Sequence, residues 1–168
     1  MIRILLVEDD PVIRDTTSYF LKCQQNFEVV CADTGGEALS HAREKFDVIL
    51  MDILLPDTNG MDLCQRLRSW HHCPIIFTSC LDDTDTIVRA LEMGGDDFLA
   101  KPYNNKILLA RIMANIRRVQ MDAAEPNVNG YHCAAFTLDA NRHSVEHDGQ
   151  SIHLADMEYR ILSLFVRY

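Results

Sequence analysis

The sequence predicts an α/β fold, a parallel sheet wrapped by helices, followed by the opening part of a second, β-rich unit. Three observations carry this. Five short apolar runs alternate with helical patterns over the first 119 residues, the signature of a parallel sheet with helical crossovers. The period then changes to strand-like alternation after a segment of breakers. Finally, 168 residues of which 48% are hydrophobic hold one full core and part of a second, since domains run about 100–150 residues.

The apolar runs are Ile2–Val7, Phe27–Cys31, Val48–Met51, Pro74–Phe77 and Asp97–Ala100. Asp10 before Pro11 reads as a helix N-cap with proline at the first helical position, and Asp33-Thr34 precedes a helical run over Glu37–Lys45. From Asn104 to Val119, residues Ile107, Leu108, Ile112, Ile116 and Val119 recur at helical spacing and predict a last helix with one face on the sheet. Residues 120–130 lose periodicity and gain Pro126 and Gly130, so the linker is placed there, between a first domain at 1–119 and a second unit at 131–168. In that unit Phe136–Asp139, His143–His147 and Ser151–Leu154 alternate like strands, with Asp148-Gly149 as a hairpin signal. Asp156–Tyr168, with Met157, Ile161, Leu164 and Phe165 on one face, begins an amphipathic helix.

Composition narrows the function. A formal charge of −9 argues against wrapping nucleic acid by simple electrostatics, and beyond Arg118 the tail is acidic too. No apolar run approaches the roughly 18–20 residues that span a bilayer, and the first run turns acidic at Glu8, unlike a signal peptide, so a cytoplasmic protein without membrane contact is expected. The six cysteines, Cys23, Cys31, Cys64, Cys73, Cys80 and Cys133, form no CxxC and are expected to be reduced structural thiols.

Ligands of open α/β sheets bind at the carboxyl ends of the strands, beside the point where strand order reverses. Four such ends are polar here: Glu8 and Asp9 follow the first run, Asp52 closes the third, Thr78 the fourth, and Lys101 follows the fifth. Carboxylates gathered at one point repel unless a cation joins them, and an all-oxygen set suits Mg²⁺. With a lysine and a hydroxyl alongside, such a cavity can hold a phosphoryl group while the Asp52 carboxylate attacks phosphorus. Any of these residues alone reads as a cap or a turn; their joint occurrence at four strand ends reads as function.

The segments Ile-Leu-Leu-Val-Glu8-Asp9-Asp10, Asp52-Ile-Leu-Leu-Pro56-Asp-Thr-Asn-Gly60, Thr78-Ser79 and Gly94-Gly95-Asp96-Asp97-Phe98-Leu-Ala-Lys101-Pro102-Tyr103 resemble the receiver domain of OmpR/PhoB-type two-component response regulators, over roughly residues 1–120. The resemblance implies a flavodoxin-like, CheY-like doubly wound five-stranded sheet of order 2-1-3-4-5. It implies Asp52 as phosphoacceptor from a sensor histidine kinase, Glu8, Asp9, Asp52 and the Leu54 carbonyl around Mg²⁺, and Lys101 pairing with the phosphoryl group before a cis bond to Pro102. Thr78 and Phe98 are then the switch pair, with Phe98 standing where the family usually has Tyr. The implied output is a homodimer through the α4-β5-α5 face when phosphorylated. Asp96, Asp97, Arg111 and Arg118 match its charge pairs, and Ile87 and Ile107 stand where a basic and an acidic residue commonly pair. Such a protein is not an enzyme beyond promoting its own phosphotransfer and dephosphorylation. Leu54 and Cys80 flank the acceptor, and their low polarity is expected to slow hydrolysis of the phosphoryl group.

Phe136–Leu164 resembles the start of that family's winged-helix effector domain, with Ala155 where Thr would complete a capping box with Glu158, leaving Asp156 to cap. The recognition helix that reads DNA in such proteins is expected to lie beyond this chain, so promoter DNA is a partner of a full-length protein. Three rival readings remain in view: a metal or redox site at His71-His72-Cys73, an Asp-nucleophile phosphatase, and a phosphorylation-dependent adaptor without DNA binding. The phosphatase would need an acid two residues after its nucleophile, where Leu54 stands.

Overall fold

The computed structural model describes residues 1–124, 131–133, 136–139, 144–147, 150–153 and 162, which divide into two compact units, Met1–Met121 and Asp122–Tyr168. The first alternates strand and helix: β1 (Ile2–Val7), α1 (Pro11–Lys22), β2 (Phe27–Ala32), α2 (Gly35–Ser40), β3 (Val48–Asp52), α3 (Gly60–Leu67), β4 (Ile75–Ser79), α4 (Thr84–Glu92), β5 (Asp97–Ala100) and α5 (Asn105–Ala124). The strands pair in parallel in the order β2-β1-β3-β4-β5, the doubly wound sheet that the sequence implies. Strand order reverses between β1 and β3, so the crevice of the sheet opens where Glu8 and Asp52 stand.

Apart from Arg3 near the start of β1 and the polar residues Asp52, Thr78 and Ser79 at the ends of β3 and β4, the central strands are apolar because helices cover both faces. Leu5, Val7, Ile49, Met51, Ile75 and Phe77 enter one core with Leu63, Leu67 and Ala90 of α3 and α4. The alternate residues Ile4, Leu6, Val48, Leu50 and Ile76 enter the other with Leu21 of α1 and Leu108, Ile112 and Ile116 of α5. Each full burial of such a side chain stabilises by about 1.5–3 kcal/mol, so this double layer anchors the strand ends that carry the polar residues.

Several element bounds differ from expectation, three of them with consequences for the site or its surroundings. α2 is capped by Thr34 and stops at Ser40, short of Lys45. The following segment is drawn to the start of β1 instead: Arg3 N–H donates to Asp47 Oδ2 at 2.7 Å, Asp47 N–H donates to the Arg3 carbonyl at 2.8 Å, and the Arg3 guanidinium holds Glu44 and the Lys45 carbonyl. α5 continues past Val119 to Ala124, because nothing before Pro126 interrupts a helix there. β4 extends through Ser79, which puts Thr78 within the sheet, opposite Asp52.

The second unit holds a four-stranded antiparallel sheet, β6 (Tyr131–Cys133), β7 (Phe136–Asp139), β8 (Ser144–His147) and β9 (Gln150–His153), in that order. β6 is an addition to the three expected strands; Tyr131 faces Leu138 and Cys133 faces Phe136 across its ladder. β8 and β9 pair down to His147–Gln150. The Asp148-Gly149 turn, Ala155, Asp156, Glu158 and the helix expected over 156–168 lie outside the described residues. Among the described residues no helix is long and apolar enough to cross a membrane.

Candidate functional site at the sheet crevice

The structure brings the predicted polar strand ends together. Glu8 is fully buried, Asp52 nearly so, and the Lys101 side chain is 5% exposed. The Lys101 ammonium donates to both Glu8 oxygens at 2.8 and 2.6 Å and to Asp52 Oδ2 at 2.5 Å. Asp9 sits at the exposed rim, and one oxygen each of Glu8, Asp9 and Asp52 lie within 4.8 Å of one another. Burial pushes the Glu8 carboxyl above its ordinary range despite the opposing pull of Lys101. For Lys101 burial alone would lower the ammonium, but the hydrogen bonds to Asp52 and Glu8 outweigh it and hold it above its usual value. The three carboxylates form an all-oxygen set that fits a hard divalent cation, with one lysine already in place to neutralise part of the charge.

Local structure fixes these groups. Asp10 caps α1, accepting from Val12 and Ile13 N–H at 2.8 and 3.0 Å, so the chain turns sharply after Asp9. Leu54 N–H donates to Asp52 Oδ1 at 3.1 Å, and the Leu54 side chain points outward, 52% exposed. The Lys101–Pro102 peptide is cis. Thr78 is 1% exposed and its hydroxyl has no hydrogen-bond partner among the described residues. Phe98 is half-buried against the α3/α4 core, in register with Phe77 one residue before Thr78.

Residues 4–113 match the family described as Response regulator receiver domain. The chain belongs to the response regulator family. It is 34% identical over 166 residues to the DNA-binding response regulator MtrA of Mycolicibacterium smegmatis, covering 98% of this chain and 71% of that protein. It is 33% identical over 172 residues to the transcriptional regulatory protein CpxR of Escherichia coli K12, covering 100% of this chain and 74% of the relative. The crystal structure of response regulator DrrB, a Thermotoga maritima OmpR/PhoB homolog, superposes with a TM-score of 0.64 at 29% identity, over 99% of this chain and 72% of that one. This is a two-component response regulator with a CheY-like receiver, a signalling protein whose relatives are transcriptional regulators, which favours that reading over an adaptor.

The predicted dimer-face charges of this response regulator pair within the chain. Arg111 holds both Asp97 oxygens at 2.7 and 2.9 Å, and Arg118 holds Asp96 at 2.8 Å, while Arg68 grips Asp96 from the other side at 2.5 Å. Ile107 is exposed and Ile87 partly so. The cluster His71-His72-Cys73 does not gather a metal: among the described residues only Glu8, Asp9 and Asp52 converge as three ligands. Burial pushes the Cys73 thiol up to about 11, so it is no thiolate, and Cys23, Cys31, Cys64, Cys73 and Cys80 are all free. The Cys133 side chain lies outside what is described.

Two supports escaped the sequence reading. Arg14, one turn into α1, donates to the carbonyls of Glu8 and Asp9 at 3.2 and 3.3 Å and pins the acidic turn from behind. Tyr103 bonds Thr17 at 3.2 Å, tying the segment after Lys101 to α1. Neither carries a local sequence signal, because each partner lies on a different element.

Proposed function

We propose that this response regulator is activated by phosphorylation of Asp52 by a sensor histidine kinase. The observation that carries the reading is the shared Lys101 ammonium between Glu8 and Asp52 in a buried crevice. Glu8, Asp9, Asp52 and the Leu54 carbonyl would hold Mg²⁺, which when bound supplies charge neutralisation for the phosphoryl oxygens. An Asp52 oxygen attacks phosphorus, a P–O bond forms as the P–N bond to the donor imidazole breaks, and Lys101 swings its charge to the new phosphoryl oxygens. The unpartnered Thr78 hydroxyl donates to one of them. Its movement opens space into which the half-buried Phe98 turns, and the α4-β5-α5 surface changes with it.

That surface then dimerises. Asp96, Asp97, Arg111 and Arg118 already satisfy one another within a protomer, so the exposed apolar side chains Ile107, Val88 and Leu91, with Ile87, supply the contact. The dimer brings two effector units to promoter DNA, in line with relatives named as DNA-binding and transcriptional regulators. The test is incubation with Mg²⁺ and acetyl phosphate, reading intact mass, and with beryllofluoride, reading oligomeric state by light scattering. One added phosphoryl group and a dimer, both lost in Asp52→Ala, are expected. An unmodified parent chain would refute the reading.

A further inference from the structure

The loop Ile53–Asn59 leads from Asp52 into α3, and it is tied down at both ends. At its base Leu54 and Asn59 form an antiparallel bridge, Gly60 N–H donates to the Ile53 carbonyl at 2.8 Å, and Leu54 N–H reaches Asp52 Oδ1 at 3.1 Å. At its tip Asp57 accepts twice: Oδ1 from Gly35 N–H and Oδ2 from Gly36 N–H, both at 2.8 Å. The Thr58 methyl fills the space beside Gly35, only 2.3 Å from where a Cβ would stand, so the tip seats closely on the start of α2.

The start of α2 is fixed in turn to the end of β2. Thr34 caps it at Glu37 N–H, and the Glu37 carboxylate returns to Asp33 N–H at 2.7 Å. One residue earlier, the Ala32 carbonyl accepts from Glu8 N–H at 3.0 Å. Hydrogen bonds and short stretches of chain thus connect Asp52 through Leu54, Asp57 and α2 to Ala32 and back to Glu8 beside the acidic crevice.

The geometry points to Asp57 as a positioning residue that braces this loop from its far end and so holds the Leu54 backbone beside Asp52 for a divalent cation. The inference rests on the reading of Glu8, Asp9 and Asp52 as the cation pocket. An ionised carboxylate taking two backbone N–H groups makes bonds about twice as strong as neutral ones. Those two N–H groups also keep the Asp57 carboxyl below the usual carboxylate range. Residues supporting a metal's ligands commonly matter about 10–100-fold in affinity; Asp57 is exposed and acts through a loop, so the low end is expected.

The test is a calorimetric titration of the full chain with MgCl₂ alone, with no phosphodonor, for the parent, Asp57→Ala and Asp57→Asn. The expected result is a Mg²⁺ dissociation constant raised about tenfold in Asp57→Ala, measured at a temperature well below the melting transition of every variant. Asp57→Asn, which keeps one acceptor oxygen but turns an amide N–H₂ on the other glycine, should fall between, and it carries the comparison if the Ala variant fails to fold. Equal Mg²⁺ affinity in parent and variants overturns the role of Asp57. A parent that binds Mg²⁺ but takes no phosphoryl group from acetyl phosphate refutes the phosphoacceptor reading and leaves this one standing. A parent that binds no Mg²⁺ overturns both.

Discussion

Gly60→Ala sets two physical effects against each other and lets their magnitudes decide. Gly60 is the first residue of α3, its φ is not in the left-handed region, and by helix propensity alone alanine there would stabilise by up to about 1 kcal/mol. The structure argues the opposite. A Cβ at Gly60 would stand 2.0 Å from the Asp52 carbonyl oxygen and 2.9 Å from Asp52 C and Ile53 Cα, all backbone. Ordinary contact begins near 3.4 Å, so roughly 1.4 Å must be found. β3 cannot supply it, because it is hydrogen-bonded on both sides, to β1 and to β4. Overpacking costs about 1–3 kcal/mol, and with unyielding backbone the upper end applies, leaving a net loss of roughly 2 kcal/mol after the propensity gain. With a urea slope of about 2 kcal/mol/M, the midpoint should fall by about 1 M. Trp70 is the single tryptophan of the chain and lies in the first unit, so its fluorescence follows that unit's unfolding. The displaced Asp52 should also accept phosphate more slowly. A midpoint equal to or above the parent's would refute the steric argument.

Three further outcomes are expected. Thr78→Val removes a buried hydroxyl that has no partner, so the resting protein should be as stable or more stable, by up to about 1 kcal/mol, while beryllofluoride-induced dimerisation is lost; a variant that still dimerises would exclude Thr78 from the switch. The His71 ring is buried against Phe46, and burial lowers its pKa, helped by the charges of Arg68 and His72 and opposed by the Ala42 carbonyl. The unfolded chain therefore binds the proton first: stability should be level above about pH 6.5 and fall as pH drops from there toward the lower folded value. His71→Phe should flatten that slope in urea midpoints taken between pH 7.5 and 5.5, and parallel slopes would assign the acid sensitivity elsewhere. Leu54→Asn should shorten the acyl-phosphate lifetime by giving a hydrolytic water a polar partner, and an unchanged half-life by intact mass would mean that polarity at this position does not control hydrolysis.

The sheet was legible because its signal is local and periodic. β5 is observed at the expected Asp97–Ala100, and Glu8, Asp9, Asp52 and Lys101 converge at the strand ends, with Thr78 in register opposite Asp52. The misread end of α2 has a non-local cause. α2 ends early because Arg3, more than forty residues away in sequence, competes for the segment behind it. Charge pairing was legible in residue type but not in partner: Asp97 and Arg111, or Asp96 and Arg118, suit a contact between protomers as well as one within a protomer. Arg14 and Asp57 were invisible for the same reason, since an arginine in a first helical turn or an aspartate in a loop has many ordinary uses.

The four residues of β5 link the crevice to the outer face. Lys101 follows the strand's last residue and binds Asp52 and Glu8, Phe98 lies within it against the α3/α4 core, and Asp97 opens it in the grip of Arg111. Such an edge strand is bonded on one side only, to β4, so it can shift where β1 or β3 cannot. On the proposed mechanism, a phosphoryl group that redirected Lys101 and Thr78 would act on the one strand whose displacement is cheap among those lining the site, and Thr78 sits on the very strand that β5 pairs with. Coupling by this route needs no long chain of contacts, only two arrangements of β5 of which the phosphorylated crevice favours one. It follows that changes on the outer face alter the crevice in return. An Arg111→Ala variant should change the equilibrium affinity of the crevice for beryllofluoride with Mg²⁺, although Arg111 does not touch the site, and an affinity identical to the parent's would break the link between face and crevice.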